Sequence, residues 1–277
     1  MIDSPFIIKL VKTFKDSRRI YFLQEFVHGL ELNAILKHVG LLSNNDSLFY
    51  VGSLILALQY LHERDIIYRD LKPSNIMIDV RGYVKLIDFG SAKLNKGRTY
   101  TLIGSPHYMA PEAIVGKGYN KYADVWSLGI CLFEFMCGSV PFGEDFEDPY
   151  DIYEAILEYN LIFPSEIEQP TEQAKNFIIQ LLHKFPEFRC SGGIDNLKRH
   201  DWFNGFDWDG LLKLTLNAPY TPDVGDPLDD VDEEFVEENQ DLIERESNDS
   251  LSNPIEINDP ELDEYRKTIP LDWDANF

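Results

Sequence analysis

The apolar positions Leu48, Val51, Ile55, Leu58 and Leu61 recur at helical spacing and predict one amphipathic helix over residues 46–64, about five turns long. Before it, β-rich runs at residues 6–11 and 20–26 flank the polar stretch Lys15-Asp16-Ser17-Arg18, the pattern of a hairpin. After it come short β-prone pieces within residues 66–78 and 83–87, broken by turns at Lys72-Pro73-Ser74 and Arg81-Gly82. Residues 90–111 carry Gly, Ser, Thr and Pro without periodicity, and a loop of that length inside a compact domain is usually functional. Residues 124–138 are apolar all round and predict a central helix, with amphipathic helices at 150–159 and 172–185 around it and Trp202 and Phe203 closing the packing.

Composition fits a globular chain, with 44% hydrophobic and 26% charged residues, and its length suits one main domain. The longest uncharged apolar stretch, residues 125–133, is bracketed by Asp124 and Glu134 and is far shorter than the ~20 residues of a membrane span. The opening Met1-Ile2-Asp3-Ser4-Pro5 has neither a basic nor an apolar signal region, so the cytoplasm is the expected compartment. Cys131, Cys137 and Cys190 have no metal-ligand spacing and read as reduced, packed thiols. The net charge of −23 is concentrated at one end, where residues 221–277 hold 20 acids against 3 bases. Such a field disfavours nucleic acid and anionic membrane and favours basic peptides. The acidic stretch beyond Pro219 has too little apolar surface to fold by itself.

Three motifs carry the chemistry. Tyr68-Arg69-Asp70-Leu71-Lys72-Pro73-Ser74-Asn75 puts a carboxylate, an ammonium and an amide in one turn-rich loop, Asp88-Phe89-Gly90 follows, and Ala110-Pro111-Glu112 closes the intervening segment. Alone, an Asp-Phe-Gly tripeptide is mostly a turn and an Arg-Asp pair mostly a surface ion pair. In this order and spacing they match the protein-kinase signature set. Moving a γ-phosphoryl group requires a carboxylate for the hydroxyl proton, oxygen ligands for Mg²⁺ and cations facing the developing charge, which these segments contain.

Across residues 5–220 the sequence resembles the cyclic-nucleotide-dependent branch of the AGC-type Ser/Thr protein kinases. Trp202-Phe203, Gly205-Phe206-Asp207-Trp208 and the terminal Trp273-Asp274-Ala275-Asn276-Phe277 resemble its cGMP-dependent members in particular. The resemblance implies an α+β, kinase-like fold: residues 1–27 as a remnant of the small-lobe sheet with the hinge, 28–203 as a mainly helical large lobe, and 204–277 as an acidic C-terminal tail. It implies ATP and Mg²⁺ as cofactors, Asp70 as catalytic base and Lys72 facing the transferred phosphoryl. Asn75 and Asp88 would hold metal and nucleotide. Glu25 and Val27 would read adenine through their backbone, with Met77 beneath the ring. Glu31 and Glu134 would take substrate arginines, and Ser105 would shape the pocket beside the phosphoacceptor. Thr101 matches the activating phosphosite, whose phosphate would pair with Arg69 and Lys93. Glu112 and Arg189 resemble the structural ion pair of the family.

Some positions depart from that pattern. Ser74 and His107 stand where relatives carry substrate-reading glutamates, and Leu228 with Asp229-Asp230 only loosely matches the tail segment that supplies an aromatic to the nucleotide. No Gly-rich loop or strand Lys precedes Phe6, and the match opens at the family's fourth strand, so the chain is expected to be part of a longer kinase carrying cyclic-nucleotide regulatory domains. A competing reading is an inactive module that holds basic proteins. Retention of Asp70, Asn75 and Asp88 favours the enzyme.

Overall fold

A computed structural model describes residues 3–15, 19–165 and 170–225. The expectations for residues 16–18, for Leu228 to Asp230 and for Trp273 to Phe277 lie outside the described residues. These residues form two compact units, one containing residues 9–26 and the other residues 3–8 and 27–223.

In the smaller unit, strands β1 (Leu10–Lys15) and β2 (Ile20–Gln24) pair antiparallel, with Thr13 opposite Phe22 and Lys15 opposite Ile20. The expected hairpin is present, but its first strand starts four residues later than the β-rich run. Phe6 and Ile7 are 0% and 1% exposed in the larger unit, where Ile8 N donates to Leu86 O at 2.9 Å and Leu86 N to Phe6 O at 2.8 Å. Full burial of two large apolar side chains, worth about 1.5–3 kcal/mol each, outweighs continuation of the hairpin.

The larger unit is α+β. Strand β3 (Gly29–Glu31) leads directly into helix α1 (Leu32–Val39), which buries Leu32 and Ile35 and is too short for periodicity to have revealed it. Helix α2 (Asn44–His62) starts at a capping box: Ser43 Oγ accepts from Asp46 N at 3.2 Å and Asp46 Oδ2 from Ser43 N at 3.3 Å. It is buried on nearly every side, down to Ser47, Gly52 and Ser53, so it is a central helix and not the amphipathic one expected. Its small residues admit close neighbours; a Cβ on Gly52 would stand 3.1 Å from Leu211 and Phe206.

Short strands follow: β4 (Ile66–Ile67), β5 (Ile76–Asp79), β6 (Val84–Leu86) and β7 (Lys93–Leu94). They make an antiparallel sheet in the order β3-β5-β6 and a β4-β7 pair. After helix α3 (Pro111–Ile114), helix α4 (Tyr122–Cys137) is buried almost throughout, as its composition predicts. It stops at Gly138, whose φ of 86° is the left-handed cap that glycine adopts cheaply. Helix α5 (Pro149–Glu158) is capped by Asp148. Helix α6 (Glu172–Leu181) is capped by Thr171 and ends four residues short of the expected 185, ahead of a turn that begins at Pro186.

Trp202 and Phe203 close the core as expected, 4% and 3% exposed; Trp202 stacks on Phe177 and its indole donates to Asn44 Oδ1 at 2.8 Å. Residues 204–223 lie in the same unit, with helix α7 (Trp208–Leu212) burying Leu211 and Tyr83 Oη donating to Leu216 O at 2.5 Å. All three cysteines are free and buried, which raises the Cys137 and Cys190 thiols to about 11. Among the described residues no helix is long and apolar enough to cross a membrane.

Candidate active site

The loop between β4 and β5 is held from beneath by one acid. Asp124, 0% exposed on α4, accepts from Tyr68 N at 3.0 Å, Arg69 N at 2.8 Å and His62 Nε2 at 2.7 Å. Two backbone donors that no strand or helix could satisfy are thereby paired, and Arg69 is fixed at a φ of 72°, a conformation that costs a non-glycine residue about 1–3 kcal/mol. Sequence reasoning assigned no role to Asp124 or His62. The available signal was an acid at the head of the apolar run of residues 125–133, which in a buried position must have partners.

Above this anchor, both oxygens of Asp70 are taken. Oδ1 accepts from Ser105 N at 3.0 Å and Ser105 Oγ at 2.9 Å, and Oδ2 from Asn75 Nδ2 at 2.9 Å, with the Lys72 ammonium at 3.2 Å. Lys72 Nζ also donates to Ser105 Oγ at 2.7 Å. Asp70, Lys72, Asn75 and Ser105, 35 positions apart at the extremes, therefore share one hydrogen-bonded cluster. Gly104 permits it: at φ 115° its missing Cβ would lie 2.6 Å from Arg69 O, so a side chain there would push Ser105 off Asp70.

Asp88 joins through Tyr68 and the strand beside it. Ile87 N donates to Asn75 O at 3.0 Å, the Tyr68 hydroxyl donates to Ile87 O, and the Tyr68 and Phe89 rings meet edge to face at 5.3 Å. Burial first, then the charges of Asp70, Asp88 and Asp124, push the Tyr68 phenol far above its ordinary value. The charges of Asp70 and Asp88 thus act on a single side chain. Asp88 is exposed, sits at φ 53° and accepts from Gly90 N at 2.9 Å.

These groups suit a hard cation. The Asn75 amide nitrogen is committed to Asp70 O at 2.8 Å and to its carboxylate, which orients Oδ1 away from Asp70, and Asp88 adds a carboxylate. Among the described residues no cluster of three or more His, Cys, Asp or Glu could hold a metal. Mg²⁺ is usually held by one or two carboxylates with water and substrate phosphates, and Asp88 and the Asn75 amide oxygen are hard oxygen donors of that kind.

Glu134 Oε2 accepts from Tyr108 Oη at 2.6 Å. Burial raises the Glu134 pKa, and Glu144 raises it further, against the Tyr108 hydrogen bond and the pull of His107. The His107 ring lies 3.0 Å from Gly143 O. Glu31 is exposed on β3 opposite Met77, which is half-buried on β5. Glu25 stands in the smaller unit, with Oε1 accepting from Lys9 N at 2.9 Å, whereas Val27 belongs to the larger unit.

In the segment before Ser105, the unmodified Thr101 side chain is exposed and its carbonyl accepts from Tyr119 Oη at 2.8 Å. The expected cations bond elsewhere: Lys93 Nζ donates to Thr99 Oγ1 at 3.1 Å and Arg69 Nε to Ser91 O at 2.5 Å. Arg69 Nη1 is buried without a hydrogen-bond partner among the described residues. Farther along, Arg189 is 0% exposed and grips Glu112 through two bonds of 2.7 and 2.8 Å while lying 5.0 Å over the Trp126 ring.

Comparison with known proteins agrees with this geometry. Residues 1–203 match the Protein kinase domain family. The chain is 48% identical over 242 residues to a cGMP-dependent protein kinase of Toxoplasma gondii, covering 86% of this chain and 24% of that protein. It is 52% identical over 223 residues to the cGMP-dependent protein kinase of Eimeria tenella, covering 79% and 22%. The cAMP-dependent protein kinase catalytic subunit PRKX of Mus musculus is 40% identical over 223 residues, covering 80% and 62%. The chain thus spans about a quarter of the length of the cGMP-dependent relatives. With the family match covering most of its length, this chain belongs to the protein kinase family.

Proposed function

We propose that the chain is the catalytic large lobe, with part of the hinge and tail, of a cytoplasmic Ser/Thr protein kinase of the cGMP-dependent type. It moves the ATP γ-phosphoryl group to hydroxyls of protein substrates, and the full-length protein carries cyclic-nucleotide regulatory domains. The observation that supports this best is the Asp70 cluster: a carboxylate with four donors, a lysine and an amide among them.

Asp70 orients the substrate hydroxyl and takes its proton. For that, one of its four donors must give way, and Lys72 is the candidate, being the longest contact on a partly exposed, flexible side chain. Once released, the ammonium faces the charge that develops on the transferred group. Asn75 and Asp88 would hold magnesium, which when bound would neutralise charge on the phosphate oxygens. Val27 and Met77, both in the larger unit, receive the adenine. Glu31 and Glu134 favour arginine upstream of the phosphoacceptor, because a guanidinium pairs well with carboxylates. Phosphate on Thr101 would draw Arg69, whose Nη1 lacks a partner, and Lys93 into new charge-assisted bonds.

The test is a phosphotransfer assay on the full-length protein with an arginine-containing peptide, with and without cGMP, compared with Asp70→Asn. Transfer that Asp70→Asn lowers by about 10²–10⁴-fold, with peptide binding retained, is the expected result. Equal transfer by both proteins would remove Asp70 from the chemistry.

A further inference from the structure

Residues 93–121 are basic in an otherwise acidic chain: Lys93, Lys96, Arg98, Lys117 and Lys121 stand against one acid, Glu112, which Arg189 already holds. Lys93 is bonded to Thr99 and is assigned above to Thr101. Arg98 and Lys117 are exposed and, among the described residues, have no ion-pair partner. Tyr100, which none of the roles above uses, lies beside both.

The backbone brings the three together. Thr99 N donates to Tyr119 O at 2.8 Å and Tyr119 N to Thr99 O at 2.9 Å, a bridge whose two residues are 2% and 4% exposed. With Thr99 turned inward, the alternation of an extended chain turns Arg98 and Tyr100 outward together. The Tyr100 ring is 68% exposed and rests on Gly118, where a Cβ would stand 2.7 and 2.9 Å from ring atoms Cε1 and Cζ and 3.3 Å from Arg98 Cβ. The hydroxyl-bearing end of the ring and the root of the Arg98 side chain thus flank the residue that follows Lys117. Arg98 Nη1 donates to Lys117 O at 3.4 Å, a long bond to a neutral acceptor that a charged one would displace.

We propose that Tyr100 is a phosphorylation site whose phosphate pairs with Arg98 and Lys117 and so fastens residues 98–100 to residues 117–119. A tyrosine-directed kinase supplies the group from ATP. The phenol oxygen bonds to the γ-phosphorus, the bond from that phosphorus to the β-bridging oxygen breaks, ADP leaves, and the phenol proton passes to a carboxylate of that kinase. The product carries about −1.5 to −2 charge and three acceptor oxygens, enough for one to three charge-assisted hydrogen bonds to the guanidinium and the ammonium. These bases differ from those assigned to Thr101, and the pairing does not rest on the kinase reading of this chain.

The test uses the whole chain carrying Asp70→Asn, so that no transfer by the protein itself contributes, treated with ATP and a purified tyrosine kinase of broad specificity. Mass spectrometry should place phosphate on Tyr100, and Tyr100→Phe should remove it. Phosphorus NMR then follows the second ionisation of that phosphate, which lies near pH 6 for a free phosphotyrosine. Pairing should lower it by about one pH unit relative to the same chain unfolded in urea. Arg98→Ala with Lys117→Ala, both at exposed positions, should return it to the unfolded value, and Lys93→Ala should leave it lowered. Folded protein that takes no phosphate at Tyr100 overturns the proposal. So does a phosphate whose ionisation matches that of the unfolded chain or ignores the double variant. A shift that follows Lys93 instead would give the phosphate to the bases of Thr101 and overturn it as well.

Discussion

Asp124 and Asp70 are both shielded carboxylates on adjoining elements, yet their partners differ in kind. Asp124 is sealed by two backbone amides, which cannot leave without unfolding the loop, and by a buried imidazole of α2. Three of the four donors on Asp70 are side-chain groups: Lys72, Asn75 and the Ser105 hydroxyl. A carboxylate satisfied by backbone is scaffold; one satisfied by side chains that can turn aside is available to a reactant. The difference shows how one short loop can be rigid underneath and exchangeable on top.

The contrast can be broken at either acid. Replacing Asp124 with Ala should cost the most, about 3–5 kcal/mol in chemical denaturation, because two buried amides and His62 lose their acceptor together. Asp70→Asn should cost less than about 1 kcal/mol of stability, since an amide keeps one acceptor in place, while phosphotransfer falls as stated above. If both variants unfold equally, the distinction between scaffold and reactant fails. Ser105→Ala sharpens it: loss of the hydroxyl shared by Lys72 and Asp70 should change stability by about 1 kcal/mol, and Lys72 should then stay on Asp70, which would lower kcat more than it raises KM.

The smallest effect concerns a scaffold acceptor that titrates. His200 Nδ1 accepts from Trp202 N at 3.1 Å, and burial lowers its pKa below 6.5, against the opposing pull of Asp201. A depressed folded value means that its contribution is complete above pH 6.5 and is lost as pH falls through the folded pKa. The loss should stay within about 1 kcal/mol, the worth of one cap, and His200→Asn should keep the cap while removing that pH slope.

Much of this was legible in the chain. Helix α4 was evident because burial on all sides leaves an uninterrupted apolar run; Asp70, Lys72 and Asn75 were evident because they share one local motif, whereas Ser105, 35 positions away, came only with the family resemblance. Helix α2 was misread as amphipathic because its buried face includes Ser47, Gly52 and Ser53, residues that periodicity counts as polar or neutral and that are inside for close packing. The displacement of β1 was invisible because Phe6 and Ile7 suit a strand or a core equally well, and only Leu86, some eighty positions later, decides between them. Asp124 went unassigned for a related reason: its partners at residues 62, 68 and 69 come from another element, and no pattern within α4 points to them.

The bond from Trp202 to Asn44 joins groups 158 positions apart. During synthesis the amino-terminal end of α2 must therefore wait, its amide solvated, until nearly all of the larger unit has left the ribosome. Early helices can form as they emerge, but their final seating is deferred to the last aromatic residues, and a chain halted before Trp202 would present an open core to chaperones and proteases.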